Sequence, residues 1–397
     1  MFEKIETKNE FGEGIVMSWA SIIDEKTMEQ AAKLSRLPIV RGHVALMPDA
    51  HFGYGPPVGT ALVTVDAVMP YAVGVDIGCG MIAAKTSLKR GDFYGKEGQV
   101  LAQIRTRIPS GVGQSNSERS ESADEFVIEN DWPRGVLEGV LNDTEELRNK
   151  ILLQFGTLGA GNHFVEVCSD YDANVWFVIH SGSRGIGNML ATAHSKRAQE
   201  YCEMFDIQLE DKEFAYFPSS DPYYHAYLDD MLWAQKYAFG QREAMLTALI
   251  SGVQEAIGPF TILEKINCHH NYAEEIESSV WLTRKGAIDA NVDVMGVIPG
   301  SMGDSTYIVS GLGNEEAYNT SPHGAGRILS RGAAIKTVDK EAFRTAMQGK
   351  TWLDRDIDKL LDEAPAAYKP INTVIADSRE LVIPTTMLQQ FINYKGL

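Results

Sequence analysis

Asp76 and Cys79 stand three residues apart in Tyr71-Ala-Val-Gly-Val-Asp-Ile-Gly-Cys-Gly80, with Gly78 and Gly80 on either side of the thiol. Glycine at both flanks permits a sharp backbone path, so the sulfur can reach whatever Asp76 reaches. A carboxylate and a thiol on one loop make half of a metal site. A thiolate can bridge two borderline cations while the carboxylate holds one of them. The same turn would also serve to bury Cys79 as a small apolar side chain. Taken alone, the pair is compatible with both.

Five of the nine histidines share a setting. His163 lies in Gly156-Thr-Leu-Gly-Ala-Gly-Asn-His-Phe-Val-Glu166, where a glycine-rich turn enters an apolar run. His180 ends Val175-Trp-Phe-Val-Ile179, His269 and His270 end Thr261–Cys268, and His323 lies in Ser321-Pro-His-Gly-Ala-Gly-Arg327. Side chains presented at element edges can converge in one cleft, as ligands or as acid–base groups. A histidine in such a place can equally be a hydrogen-bonded core residue. Imidazoles with one thiolate and one carboxylate form an N/S/O set suited to Mn²⁺, Zn²⁺, Co²⁺ or Fe²⁺ rather than Ca²⁺. His194 and His225 fall in helical patterns and read as structural.

Other loops suggest anions. Pro299-Gly-Ser-Met-Gly-Asp-Ser-Thr306 offers consecutive backbone N–H groups around Gly300 and Gly303, either for a phosphate or simply as a tight turn. It lacks the Gly-Lys-Ser/Thr of a P-loop. His323-Gly-Ala-Gly-Arg327 joins an imidazole, small residues and a guanidinium. Arg184 and Arg284-Lys285-Gly286 add cations beside such loops, although Lys285 by itself reads as a solvated charge. Pro48-Asp-Ala-His-Phe-Gly-Tyr-Gly-Pro-Pro-Val-Gly59 is too rich in glycine and proline for a regular element, and Asp49 and His51 make it a candidate wall of the site.

The elements that must carry these residues alternate unevenly. Residues 22–35 have helical spacing, 37–47 read as strand, turn, strand, and 81–86 read as a strand leaving the cysteine turn. Residues 109–134 are polar and aperiodic, the pattern of a surface loop or lid. A helix is expected over 137–155, with acidic residues early and basic ones late. Buried strands are expected at 164–167 and 175–179, and helices at 190–205 and 224–257, the latter two helices or one kinked at Gly240. Strands return at 261–269, 280–283, 292–298 and 307–310, and short helices at 340–347 and 356–363. Without a clear linker or strict strand–helix alternation, residues 1–397 read as one large mixed α+β domain, with sheets flanked by helices and a central cleft.

The 397 residues, 44% of them hydrophobic, can bury a large core. Thirty-six basic against fifty-four acidic residues give a formal charge of −18, which argues against non-specific nucleic-acid binding. A local basic cleft or bound divalent cations remain compatible with that total. Four cysteines without paired spacing suit free thiols in a reducing compartment. No signal-peptide pattern or membrane-length apolar run occurs, and the expectation is a cytoplasmic protein with no membrane partner.

In order and nearly end to end, the motifs Asp76-Ile-Gly-Cys-Gly80, Gly161-Asn-His-Phe164, His180-Ser-Gly-Ser-Arg-Gly185, Cys268-His-His-Asn271, Arg284-Lys-Gly-Ala287, Gly300-Ser-Met-Gly303, His323-Gly-Ala-Gly-Arg327 and Lys395-Gly396 resemble the RtcB family of RNA ligases. The combination is specific, although no single motif is. The resemblance implies the family's own α+β fold and a GTP- and Mn²⁺-dependent ligase. It would join RNA 3′-phosphate or 2′,3′-cyclic phosphate ends to 5′-hydroxyl ends in tRNA splicing or RNA repair. By matching position, Asp76, Cys79, His163, His180 and His270 would hold two Mn²⁺ ions, with Cys79 bridging, and His323 would carry GMP covalently. Asn162, His163, Phe164, Val165, Glu166, His270 and Asn271 would contact the guanylate. So would Pro299, Gly300, Ser301, Met302, Thr306, Gly324, Ala325, Gly326 and Lys395, with Tyr368 against the base.

Pro322 stands where many relatives carry cysteine, Ala160 replaces a common glycine, and Leu397 follows the usual terminal Lys-Gly. None of these removes a group that the chemistry needs. Two competing readings are a binuclear-metal cyclic phosphodiesterase without ligation, which has no use for His323 and Lys395 as a pair, and a non-enzymatic RNA-binding scaffold. The physiological RNA and an activating protein partner are not legible in the residues.

Overall fold

In Asn174–Ser181 the side chains of Val175, Phe177 and Ile179 face one way and those of Trp176 and Val178 the other, and all five are buried. A strand that is apolar on both faces must be covered on both. The computed structural model describes residues 1–137, 141 and 144–397, and shows how this is done. Val165, Val167, Phe177 and Ile179 pack against Ile104 of the helix Glu97–Arg107 and against Leu249 and Val253 of the helix Pro222–Ile257. On the other face Phe164, Trp176 and Val178 meet Ile266, Val297, Ile308 and Leu388, which belong to strands of the same sheet.

That sheet therefore curls on itself. Its seven antiparallel strands run in the order Ile262–His269, Gly80–Lys89, Asn174–Ser181, Phe164–Ser169, Val382–Lys395, Ser305–Gly311, Met295–Pro299, and the two edge strands touch. A second sheet of six strands has the order Glu3–Asn9, Gly12–Ser18, Val40–His51, Val58–Val65, Val280–Lys285, Asn271–Glu277, with one parallel pair. The chain crosses from the first sheet to the second at His270, between Ile262–His269 and Asn271–Glu277. Helices flank both sheets, and the architecture is the expected mixed α+β type.

Several local expectations need correction. The segment 37–47 is not strand, turn, strand, because Val40–His51 is one long strand that takes in Pro48, Asp49 and His51 from the supposed loop. Its backbone pairs with Val58–Val65 through a register shift, so proline and glycine mark an irregular ladder here rather than its absence. Residues 109–134 are not all loop: Ser120 caps the helix Glu121–Asn130, whose Phe126 packs on Phe155, Trp233 and Tyr237. The helix expected over 137–155 is seen as Glu145–Gln154, and residues 138–140, 142 and 143 lie outside those described.

The helix expected over 190–205 starts earlier, at Arg184. Pro222–Ile257 is continuous through Gly240; a Cβ there would lie 3.2 Å from the Phe155 ring, so the glycine serves packing rather than a kink. Residues 356–363 form two 3-10 turns. Among the described residues no helix is long and apolar enough to cross a membrane.

Candidate active site

Antiparallel register brings the strand ends together. Gly80 pairs with His269, Met81 with His180, and Phe164 also with His180. Cys79 precedes Gly80, His163 precedes Phe164 and His270 follows His269, so all four donors emerge at one end of the curled sheet. The turn that carries Asp76 and Cys79 needs Gly78, whose φ of +73° favours glycine and where a Cβ would press on Ala238 and Gln235 of the long helix. Gly182 leaves the space that the Asp76 carboxylate fills. Beneath the turn lies Arg242, fully buried, which donates to the carbonyls of Gly78 and Ser181 at 2.8 and 3.0 Å.

The donor atoms form two triads, Cys79/His180/His270 and Asp76/Cys79/His163, each with its atoms within 4.8 Å of one another. Cys79 Sγ is 3.3 Å from Nε2 of both His163 and His180 and is common to the two triads. His180 Nε2 is 3.3 Å from His270 Nε2, and His163 Nε2 is 3.0 Å from Asp76 Oδ2. His180 Nδ1 lies 3.2 Å from the Asn162 carbonyl; donating there leaves Nε2 as the lone-pair nitrogen facing the cluster.

The electrostatics fit divalent cations. Burial drives His180 and His270 well below the usual histidine range, which keeps the rings neutral, the form that binds metal. Burial, with the Asp76 carboxylate beside it, pushes the Cys79 thiol up, so the protein alone does not make a thiolate there. Burial also opposes ionisation of Asp76, but His163 and the Ser183 N–H outweigh it and hold the carboxyl below its ordinary value. Five buried or half-buried N, S and O donors facing one another suit a divalent cation.

His323 enters from the second sheet's side. Ala287 pairs with Pro322 and donates its N–H to the His270 carbonyl at 3.0 Å, which sets the ring of His323 edge-on to that of His270, centroids 4.7 Å apart. Asp49, fully buried, accepts from the N–H groups of His323 and Gly324 at 3.1 and 3.2 Å. Its Oδ2 lies 2.7 Å from His323 Nδ1, at ion-pair distance though out of hydrogen-bond alignment. Lys369 donates to the carbonyls of Pro48 and Ala50 on either side of Asp49, at 3.0 and 2.8 Å. Gly326 comes so close to the Asp49 backbone that any Cβ would collide.

A third group gathers around Glu363. This buried carboxylate takes Lys395 Nζ at 3.0 Å, Arg331 at 3.0 Å, Arg327 at 3.3 Å and the Tyr368 hydroxyl at 2.7 Å. Burial works against its charge, but Lys395, Arg331, Tyr368 and Arg327 together hold its pKa below the usual value. Lys395 Nζ also donates to the Asn162 carbonyl and lies 5.3 Å over the Phe164 ring.

One cavity of about 370 Å³ joins the three groups. Asp76, Cys79, Asn162, Phe164, His180, His270, Asn271, Pro299, Gly300, Ser301, His323 to Gly326, Tyr368 and Lys395 line it, and His163 contacts its metal-capable wall. Four expected contact residues do not present side chains there. Val165 packs in the core against the long helix, Met302 in a satellite core with Phe343 and Leu360, and Thr306 is buried on its strand. Glu166 is buried against Asn393 and Cys168, and burial lifts its carboxyl to about 7.

Lys285 corrects a sequence expectation. It is no solvated charge but a buried amine on the cavity wall, brought down to about 7 by desolvation. Reading the residues in order missed Arg242, Glu363 and Lys369 altogether. Their only sequence signal was a charge inside an apolar stretch or beside an expected site residue.

Comparison with known proteins matches this chain to one family. A family model described as tRNA-splicing ligase RtcB covers residues 30–396. Over 391 residues the chain is 36% identical to the RNA-splicing ligase RtcB1 of Escherichia coli, covering 94% of this chain and 95% of that one. It is 30% identical to the RNA-splicing ligase RtcB of Mycobacterium tuberculosis (88% and 96% covered) and 28% to the tRNA-splicing ligase RtcB of Pyrobaculum aerophilum (92% and 90%). With the strand-end donors and the cavity they line, these matches establish that the chain belongs to the RtcB family.

Proposed function

We propose that this protein is an RNA ligase that joins 3′-phosphate or 2′,3′-cyclic phosphate ends to 5′-hydroxyl ends, using GTP and two Mn²⁺ ions, with GMP carried on His323. The observation that supports it most is the His323–Asp49 pair standing edge-on to the His270 end of the donor cluster. Asp49 Oδ2 lies 2.7 Å from Nδ1 and so favours Nε2 as the nucleophilic nitrogen; as the ring gains positive charge, the carboxylate stabilises it.

The His323 lone pair attacks the α-phosphorus of GTP, the bond to the β-phosphate oxygen breaks, and pyrophosphate leaves. An oxygen of the RNA 3′-phosphate then takes the guanylyl group and His323 is freed. The 5′-hydroxyl attacks the activated 3′-phosphate, loses its proton, and GMP departs. Asp76, Cys79, His163, His180 and His270 would hold the Mn²⁺ ions, which when bound neutralise phosphate charge and act as Lewis acids. Lys395, on the cavity wall, is suited to a phosphate oxygen, and Tyr368 to the guanine.

Intact mass after incubation with GTP and Mn²⁺ tests this reading. One GMP should be added to the wild type and none to His323→Ala, whose ligation rate should fall by about 10⁴-fold or more. A cyclic phosphodiesterase without ligation would open cyclic ends normally in His323→Ala and never acquire GMP.

A further inference from the structure

The loop after Val40–His51 carries two large rings that are exposed among the described residues. Phe52 is 58% exposed and Tyr54 79% exposed, and Tyr54 forms part of the wall of the cavity that holds His323. Exposed side chains usually sit on loose loops, but this backbone is tied from three directions. Gln30, a buried residue of the helix Glu25–Ser35, donates to the Gly53 carbonyl at 2.6 Å and to that of Gly55. Glu213 accepts from the Gly55 N–H. Lys285, from the strand Val280–Lys285, donates to the carbonyls of Tyr54 and Tyr71. Gly55 sits so close to Tyr71 that a Cβ would lie 2.8 Å from that residue's own.

Three polar side chains from three elements thus fix the main chain while the rings face water. Fixing the loop beforehand removes an ordering cost that a ligand would otherwise bear. A rigid aromatic face at the mouth of a site is what an unstacked nucleobase needs, since every base offers a π-face and stacking is tolerant of sequence. An acidic chain with a net charge of −18 gains little from phosphate attraction at long range, which leaves more of the grip to such a platform.

Resting on the ligase reading, we infer that Tyr54, with Phe52 beside it, stacks on the terminal base of an RNA strand entering the cavity. The two strand ends share this chemistry. RNAs with 2-aminopurine at the 3′-phosphate terminus or at the 5′-hydroxyl terminus tell them apart, the quenched probe marking the end that stacks.

With wild type and Mn²⁺, one probe should be quenched. Tyr54→Ala should abolish the quench and weaken RNA binding about 10-fold or more, Phe52→Ala should weaken it less, and Tyr54→Phe should keep both. Tyr171→Ala, a fully exposed tyrosine in the turn between Phe164–Ser169 and Asn174–Ser181, should behave as wild type. Quench and affinity unchanged in Tyr54→Ala, with wild type binding RNA, overturn the stacking role alone. Loss of GTP uptake in Tyr54→Ala without loss of RNA binding would assign the ring to the nucleotide and also overturn it. A wild-type protein that neither binds nor ligates RNA overturns the ligase reading itself.

Discussion

The two ends of the cavity are built on opposite electrostatic plans. The cluster around Cys79 has neutral imidazoles, a thiol held protonated by burial, and one carboxylate; the nearest buried cation, Arg242, is spent on backbone carbonyls. The group around Glu363 sets that carboxylate and Asp362, which also pairs with Arg331, against three cations, Lys395, Arg327 and Arg331. The first end is short of positive charge and the second has a surplus. Each therefore asks for a different ligand, a cation at the strand ends and an anion at the Lys395 end, and the cavity between them can hold a metal-bound phosphate.

Removing the shared sulfur should break the comparison most completely. Cys79→Ala takes a ligand from both triads at once. Manganese content, measured on dialysed protein, should fall from two ions to one or none, and ligation should drop about 10³-fold. On the proposed reading Mn²⁺ should raise the melting temperature of the wild type, and that rise should shrink in the variant. Two ions retained in the variant would contradict a bridging role.

Glu363→Gln probes the other end. Three cations would lose their common counter-charge, at a cost of about 3 kcal/mol in denaturant melts. Added pyrophosphate should raise the melting temperature of this variant more than that of wild type, while Mn²⁺ should not. Equal responses to pyrophosphate would show that the cationic surplus is not open to anions. In the wild type the Glu363 carboxyl is held below its usual 4.5, so its contribution is complete above that pH and is lost as pH falls through the lowered value.

Glu166 sharpens the contrast at smaller scale. Its carboxyl is raised from 4.5 to about 7, so between those values the native state holds a proton that the unfolded chain has released. Stability should therefore fall as pH rises from about 4.5 to 7, by roughly 3 kcal/mol in all. Glu166→Gln should flatten that slope while keeping the hydrogen bond to Asn393, and a slope that persists would place the titration elsewhere.

How much of this was legible depended on chain distance. Asp76 and Cys79 share a turn, and His180 and His270 each end an apolar run, so neighbouring residues reported that these side chains emerge at strand ends. The pairing of Asp49 with His323 could not be read, since it joins residues 274 positions apart. In the sequence Asp49 reads only as part of a loop, and in the fold that stretch is the irregular end of a strand. Lys285 misleads for a related reason: a lone lysine normally stays in water, and here two carbonyls brought from residues 54 and 71, with the Glu213 carboxylate near by, make its burial tolerable.

By itself the sequence determined which donor atoms exist and which local elements present them, because apolar runs, capping residues and glycine turns act over a few positions. The family also followed from motif order alone. Only the folded chain decided which carboxylate steadies His323, which cations share Glu363, and that Cys79 sits between two histidine nitrogens. Hydrogen bonds and charge pairs act over a few ångströms in space, and antiparallel register in a curled sheet brought those groups within that range.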